Sequence, residues 1–282
     1  MTHPGSHPSN LSQTPPAESP ICADGNGLSL CMLASGSKGN SIYISSGQTA
    51  ILFDAGLSGK EIERRMKCRG LRPQELDAIV VSHEHGDHIQ GVGIMARRFG
   101  LPVYIAPETL EAAHSHLGQI QPVHGFACGT AFSINDLSIR PFSVSHDAAA
   151  PAGFTIENHA GKIGLATDLG IATAMVKHHL QDCSLLVLEA NHDPHLLETG
   201  PYPWPVKQRV KSRTGHLSNE SARALLMELL HDRLAHVVLA HISETNNTPE
   251  QALQVVTGQL GRHPVQFSIA CQDRCGDLIS LP

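Results

Sequence analysis

The sequence predicts an α/β (α+β) fold in which short buried strands build sheets covered by helices. Three observations point there. The 282-residue chain is 41% hydrophobic but only 4% aromatic, so a sizeable core must rest on Leu, Ile, Val and Ala. Its apolar residues fall into short runs bounded by Gly and Ser, the pattern of buried strands rather than of long helices. Between these runs lie amphipathic stretches with recognisable capping residues. The first strands follow each other too closely for intervening helices, so the early part is hairpin-like rather than strictly βαβ.

Taken in order, residues 1–26 are rich in Pro, Ser, His and Gly and poor in large apolar groups, which predicts a disordered tail. Residues 27–282 are expected to form one folded domain. LSLCMLA (28–34), SIYIS (41–45) and AILFDAG (50–56) read as strands. Ser58 and Glu61 suggest a capping box opening a helix that carries Ile62 and Met66 on one face, with Arg64, Arg65, Lys67 and Arg69 around the rest. DAIVVS (77–82) is a buried strand, followed by a helix from about Ile89 to Phe99, the strand VYIA (103–106) and a helix from Pro107. LSIRPFSVS (137–145), AGFTIEN (152–158), KIGLAT (162–167) and SLLVLEA (184–190) are strand-like, with IATAMVKHHL helical between the last two. The helix over 219–230 places Ala222, Leu225, Leu226 and Leu229 on one face. A strand at 236–240, a helix opened by Thr248, Pro249 and Gln251, and two short strands finish the chain. No internal sequence repeat is visible.

Bulk composition excludes several classes. A formal charge of −6 gives no global attraction to nucleic acid, so polyanion binding needs a local basic patch. Seven scattered cysteines, with no CxxC pair, do not make a disulfide scaffold and are expected to be reduced thiols, with Cys271 and Cys275 the one pair close enough to bridge or bind metal. The N-terminus lacks the apolar and basic regions of a signal peptide, and no run of 18 apolar residues follows. A cytoplasmic protein without a membrane span is the default expectation.

The chemistry-bearing motif is Ser82-His83-Glu84-His85-Gly86-Asp87-His88, placed between a buried strand and a helix. With this chain's 19 His and 12 Asp, HxHxDH arises by chance in about four of a thousand such sequences, so a solvated polar turn is the weaker reading. Imidazoles and a carboxylate suit zinc and similar ions. His83 and His85, two apart in an extended turn, can chelate one ion, while Asp87 and His88 can reach a second. Gly86 is expected to let the backbone turn sharply between the pairs. Two ions need further ligands, and His146, Asp168 and His241 each lie just beyond a predicted strand, where a rigid scaffold would present them.

The order HxHxDH, then His, Asp and His after successive strands, resembles the metallo-β-lactamase superfamily over nearly all of residues 28–282. That resemblance implies a four-layer αββα sandwich with the site at the sheet edges. It implies two divalent metal ions (Zn²⁺, with Mn²⁺ or Fe²⁺ as alternatives): His83, His85 and His146 on one, Asp87, His88 and His241 on the other, and Asp168 between them. The best-known β-lactamases carry Cys where this chain has Asp168, so the likeness is to the phosphodiesterase, ribonuclease and glyoxalase branches. LASGSKGNS (33–41), ILFDAG (51–56), SHEHGDH, TDLG (167–170), EANHD (189–193), KQRVKSRTGHLSNE (207–220) and HISETNN (241–247) are similar to the YycJ/WalJ-type subfamily. That likeness implies 5′-to-3′ exonuclease activity on DNA, with cyclic phosphodiesterases as near relatives.

The residues permit phosphodiester hydrolysis by metal-activated hydroxide, and no Ser or Cys nucleophile elbow is found. The catalytic candidates are Asp87, Asp168, His192 and His216, the two histidines as phosphate contacts or general acids. Asn40, His192, His216 and Asn219 are the substrate- or phosphate-binding candidates. Ser218 and Asn219 read equally as helix caps, Asp54 as a partner orienting a metal-ligating histidine or a plain turn residue, and Lys38 with Asn40 as an anion-facing loop or a Gly/Ser hairpin. Lys207, Arg209, Lys211 and Arg213 form one basic edge if extended and spread around the axis if helical, with Tyr202 and Trp204 upstream as candidate base-stacking groups. Substrates compatible with all this are DNA or another phosphodiester, including small cyclic ones. A non-catalytic partner protein stabilised by its metals is the reading from another class.

Overall fold

The computed structural model describes residues 27–261 and 263–281; the segment read as a disordered tail lies outside them. The first half runs β1 (Ser29–Ala34), β2 (Ser41–Ser45), β3 (Ala50–Phe53), α1 (Gly59–Cys68), β4 (Ala78–Val80), α2 (Gly86–Ile89), α3 (Val92–Phe99), β5 (Val103–Ile105), α4 (Pro107–Leu117) and β6 (Val123–Gly125). The second runs β7 (Phe132–Ile134), β8 (Leu137–Ser143), β9 (Ala152–Asn158), β10 (Gly161–Ala166), α5 (Ala174–Leu180), β11 (Leu185–Glu189), α6 (Pro194–Thr199), α7 (Trp204–Lys211), α8 (Asn219–Leu229), β12 (His236–Ala240), α9 (Pro249–Thr257), β13 (Gln266–Ile269) and β14 (Leu278–Ser280).

Two seven-stranded sheets result among the described residues, ordered β14-β1-β2-β3-β4-β5-β6 and β13-β12-β11-β10-β9-β8-β7. Each changes from antiparallel to parallel pairing at its middle strand: β1, β2 and β3 are antiparallel neighbours while β3 to β6 are parallel. Likewise β7 to β10 are antiparallel and β10 to β13 parallel. The period-2 alternation of side chains then fixes the layers. Leu30, Ile51, Phe53 and Val80 of one sheet meet Ile139, Phe154, Ile163 and Val187 of the other in a shared core. The alternate residues Cys31, Leu33, Leu52 and Ile79 face Ile62 and Met66 of α1, Met95 of α3 and Leu117 of α4. On the far side Leu186, Leu188 and Leu239 face α5, α8 and α9. This is the αββα sandwich, and each fully buried Leu or Ile in it contributes about 1.5–3 kcal/mol.

Capping is largely as read: Ser58, Ser218 and Thr248 accept from the backbone N–H groups of Glu61, Ser221 and Gln251. The reading of α1 needs one correction. Arg65 is buried, donating to Leu33 O and Gln272 O, while Glu61 binds Arg64 and Arg65 instead of closing the capping box. The helix expected from Ile89 starts at Gly86 and breaks before Val92, so Asp87 and His88 sit in a first helical turn. Gly86 has ordinary helical geometry and open space where a Cβ would stand, so no sharp turn depends on it. The glycine that matters is Gly56: a Cβ there would lie 1.6 Å from Asp87 O and 2.6 Å from Asn40 N. No helix among the described residues is long and apolar enough to cross a membrane.

Candidate metal centre

Strands β1, β3, β4, β8, β10, β11 and β12 deliver the site from their C-terminal ends, the end at which open sheets present ligand-binding loops. Three side chains emerge from left-handed backbone just past a strand: Asp54 (φ 56) after β3, Asp168 (φ 54) after β10 and His241 (φ 55) after β12. A non-glycine residue there costs on the order of 1 kcal/mol. The kink ends the strand's alternation and turns each side chain into the cleft between the sheets.

The predicted ligands converge. His83, His85 and His146 form one cluster of candidate ligand atoms, and Asp87, His88 and His241 a second. His85 Nδ1 lies 3.1 Å from His83 Nε2 and 3.3 Å from His146 Nε2. Tetrahedral bonds of about 2.0–2.1 Å to a single zinc would set such atoms about 3.3 Å apart. Asp168 stands between the clusters, with Oδ1 3.4 Å from His241 Nε2 and 3.8 Å from His146 Nε2, and Oδ2 3.3 Å from His88 Nε2. Asp87 Oδ2 is 3.7 Å from His88 Nε2 and 3.8 Å from His241 Nε2.

A second set of contacts turns the rings. His88 Nδ1 donates to Asp54 Oδ2 at 2.8 Å, and Asp54 also takes the Ser82 N–H and hydroxyl. Asp54 therefore orients a histidine, as the sequence suggested. His146 Nδ1 donates to Gly215 O at 3.2 Å, and His241 Nδ1 lies 3.3 Å from Glu189 Oε1. In the free-base form each ring then turns Nε2 toward the cleft as an acceptor, the arrangement that metal-ligating histidines adopt, with Asn40 Nδ2 3.0 Å from His88 Nε2. Asn191 donates to His241 O and Ser35 accepts the His241 N–H.

The electrostatics ask for positive charge. Burial pushes the Asp168 carboxyl up, but His241 and His88 outweigh it and hold the group well below the usual carboxylate range. Burial pulls His88 down, yet Asp168 and Asp54 raise it to about 10, and His241 is likewise raised by Asp168, Asp87 and Glu189. Burial and neighbouring His88 depress His83, and burial depresses His146, so those rings favour the free base that a metal ligand needs. Asp168 Oδ2 and His241 Nε2 are buried without a hydrogen-bond partner. Buried polar atoms without hydrogen-bond partners beside crowded carboxylates fit divalent cations, which supply both the missing contacts and the charge.

The structure places the four substrate candidates differently. Asn219 is fully buried, and its amide pairs reciprocally with that of Asn247, at 3.0 and 2.9 Å, so it has nothing left for a phosphate. The Asn40 amide is used on Gly36 O, Asp87 Oδ2 and the Gly36 N–H, positioning the Asp87 loop rather than meeting solvent. His192 stands outside the ligand clusters, buried, with burial drawing its pKa down to about 4; a neutral, enclosed ring makes a poor phosphate contact. His216 does join the site. Its ring stacks on His241 at 5.0 Å, and its Nδ1 donates to Glu189 Oε1 at 2.7 Å.

Glu189 is the functional group that sequence reasoning missed. It is fully buried, accepts from Leu169 N and Leu217 N, and is drawn to about 2 because His216 and His241 outweigh its burial. The available signal was a carboxylate closing an otherwise apolar strand, LLVLE. The basic run proves helical, so its charges spread: Arg209 pairs with Asp147 and Lys207 donates to Glu198 O. Lys38 pairs with Glu244. Cys271 and Cys275 are free thiols and join no metal-ligand cluster among the described residues.

Comparison with known proteins agrees with this fold. The beta-lactamase superfamily domain matches residues 49–242. The exodeoxyribonuclease YycJ of Bacillus anthracis is 38% identical over 82% of this chain and 88% of its own length. The exodeoxyribonuclease WalJ of Streptococcus pneumoniae is 37% identical over 84% and 89%. Among solved structures, the metallo-beta-lactamase fold protein YhfI of Bacillus subtilis superposes with a TM-score of 0.69 at 16% identity, covering 90% of this chain and 99% of that one. Zn²⁺-bound PqqB from Methylobacterium extorquens gives 0.66 at 16% identity, covering 88% and 99%.

Proposed function

From the premise that this chain belongs to the metallo-β-lactamase superfamily, and within it to the YycJ/WalJ group, we propose that it is a dinuclear metal-dependent phosphodiesterase that degrades DNA from an end. The observation that carries the reading is the pair of ligand clusters, His83/His85/His146 and Asp87/His88/His241, with Asp168 between them. Each cluster would hold one ion, zinc by donor chemistry, with manganese or iron acceptable to the same His/Asp set. Bound there, the cations supply Lewis acidity and a water acidified toward neutral pH. Asp87 and Asp168 hold the charge that retains them.

The remaining chemistry belongs to the chain. Glu189 fixes the His216 ring through Nδ1, leaving Nε2 without a protein partner among the described residues. From there the protonated His216 gives its Nε2 proton to the departing alkoxide; Glu189 stabilises the imidazolium until that transfer, and solvent water reprotonates the neutral ring afterwards. Burial of Glu189 opposes its ionisation, but His216 and His241 outweigh that cost, and two backbone donors help hold the carboxylate. The exonuclease names of the two relatives support DNA as the substrate.

The test is incubation of purified protein with Mn²⁺ or Zn²⁺ and end-labelled duplex, alongside Asp168→Asn, with metal content measured in both. Mononucleotide release by the wild type and not by the variant is expected. Turnover of small cyclic diesters with no release from DNA at either metal would replace the reading with a small-molecule phosphodiesterase.

A further inference from the structure

α7 is the one α-helix among the described residues with no buried residue, yet it adjoins the metal centre. It carries the chain's single tryptophan, Trp204, 65% exposed, and Val206, 39% exposed. Its anchors are polar and gather toward its C-terminal half. Arg209 Nε donates to Asp147 Oδ2 at 2.6 Å, and Asp147 Oδ1 lies 3.4 Å from His146 Nε2. Ser145 donates to Arg213 O, and the His216 N–H to Val210 O. Gly215, whose carbonyl accepts from His146, lies so close beneath the helix that a Cβ would stand 2.2 Å from Arg209 O. A helix that buries nothing gains little from the core, so its exposed aromatic needs a purpose beyond folding.

Charge identifies what covers it. Lys207, Arg209 and Lys211 of α7 and Arg213 just past its end leave the segment basic on a chain of net charge −6, with Asp147 beside Arg209 and Glu198 Oε2 3.8 Å from Lys211 Nζ as the acidic groups that face it. Arg209 uses only Nε on Asp147, leaving its outer guanidinium nitrogens without a protein partner among the described residues. Five residues of helix place Trp204 about 7.5 Å along the axis from Arg209 and about 140° around it, so a strand touching both wraps the helix over roughly the length of two stacked nucleotides at about 3.4 Å each. We propose that α7 is the platform that holds the strand being degraded, with Trp204 stacking on an unpaired base and Arg209 holding a backbone phosphate beside the metal centre. This rests on the DNA reading above and adds to it a substrate form: a single-stranded end.

The experiment uses metal-loaded full-length protein and a fluorescein-labelled phosphorothioate oligodeoxythymidine, which resists cleavage. Because Trp204 is the sole tryptophan, its emission should be quenched in step with the rise in fluorescein polarisation. Trp204→Ala should weaken binding about tenfold or more, and Trp204→Phe should recover most of the loss. Arg209→Ala should lower the slope of log K against log salt by about 0.7. Thermal unfolding checks that each variant is folded. Unchanged tryptophan emission at saturating polarisation, or Trp204→Ala binding within twofold of wild type, overturns the platform while leaving the nuclease intact. A wild type that neither binds nor cleaves DNA overturns the nuclease reading itself, and the platform with it.

Discussion

Glu189 Oε1 lies 2.7 Å from His216 Nδ1 and 3.3 Å from His241 Nδ1, while Oε2 takes the Leu169 and Leu217 amides. One buried carboxylate thus ties the proposed proton donor to a proposed metal ligand, with every contact arriving from a donor. A glutamine has no orientation that suits both edges, since its NH₂ must face either two rings or two backbone N–H groups. Glu189→Gln should therefore lower kcat on DNA by about 10² or more. His216→Ala should do the same on DNA but cost less than about tenfold on bis-p-nitrophenyl phosphate, because p-nitrophenolate departs without a proton. Equal losses on both substrates would exclude His216 as the general acid.

Metal loading should release protons. In the metal-free cluster Asp168 and Asp54 hold His88 up to about 10, and His241 is raised as well, so both rings are protonated at neutral pH. Ligation requires the free bases. Calorimetry of Zn²⁺ binding at pH 7.5 in buffers of different ionisation enthalpy should report release of about two protons per protein. Because the folded-state values are raised, the metal-free protein keeps this stabilisation below the unfolded histidine value and loses it as pH rises through about 10. The loaded protein should show no such loss. A binding enthalpy independent of buffer would refute the proton count.

Most of the scaffold was legible because it follows local rules. Short apolar runs, alternating in β8 and continuous in β11, marked β8 through β11, and Ser58, Ser218 and Thr248 marked their helices. The ligands were legible because HxHxDH is dense and His146, Asp168 and His241 follow strands. The failures have a common cause: they depend on what lies across space. Asn219 looks like a polar cap residue until Asn247, 28 positions away, takes its amide. Glu189 looks like a strand terminus until His216 and His241 arrive. The shared pairing pattern of the two sheets leaves no repeat in the sequence, because backbone ladders constrain side chains only to alternate. Short segments such as β6, β7 and α6 carry too few residues for any period to stand out.

The two glycines near the metal loop should behave oppositely. Gly86→Ala meets open space in ordinary helical geometry, so its effect on the melting temperature should be neutral or slightly favourable, within about 1 kcal/mol. Gly56→Ala drives a methyl into Asp87 O, which also accepts from Asn40 N at 2.7 Å. The two loops must separate, and Asp87 leaves its place beside His88 and His241. Expected are a loss of about 2 kcal/mol or more and weaker retention of metal, read by unfolding and by dialysis against a chelator. Equal metal retention in both variants would break the link between loop packing and the site.

His192 gives the site an acid limit that owes nothing to the metals. Its Nδ1 is buried without a partner, and burial draws its pKa to about 4, against about 6.5 when unfolded. The folded value is the lower one, so the unfolded chain binds the proton more tightly. The stability from a neutral, enclosed His192 is complete above about 6.5 and is lost as pH falls from there toward 4. That interval corresponds to about 3 kcal/mol. Chelated protein should show a falling melting temperature over this range, and His192→Gln, which cannot titrate, should flatten the slope even if it lowers the plateau. A variant whose pH dependence parallels the wild type would move the acid sensitivity to another group and leave His192 as simple packing.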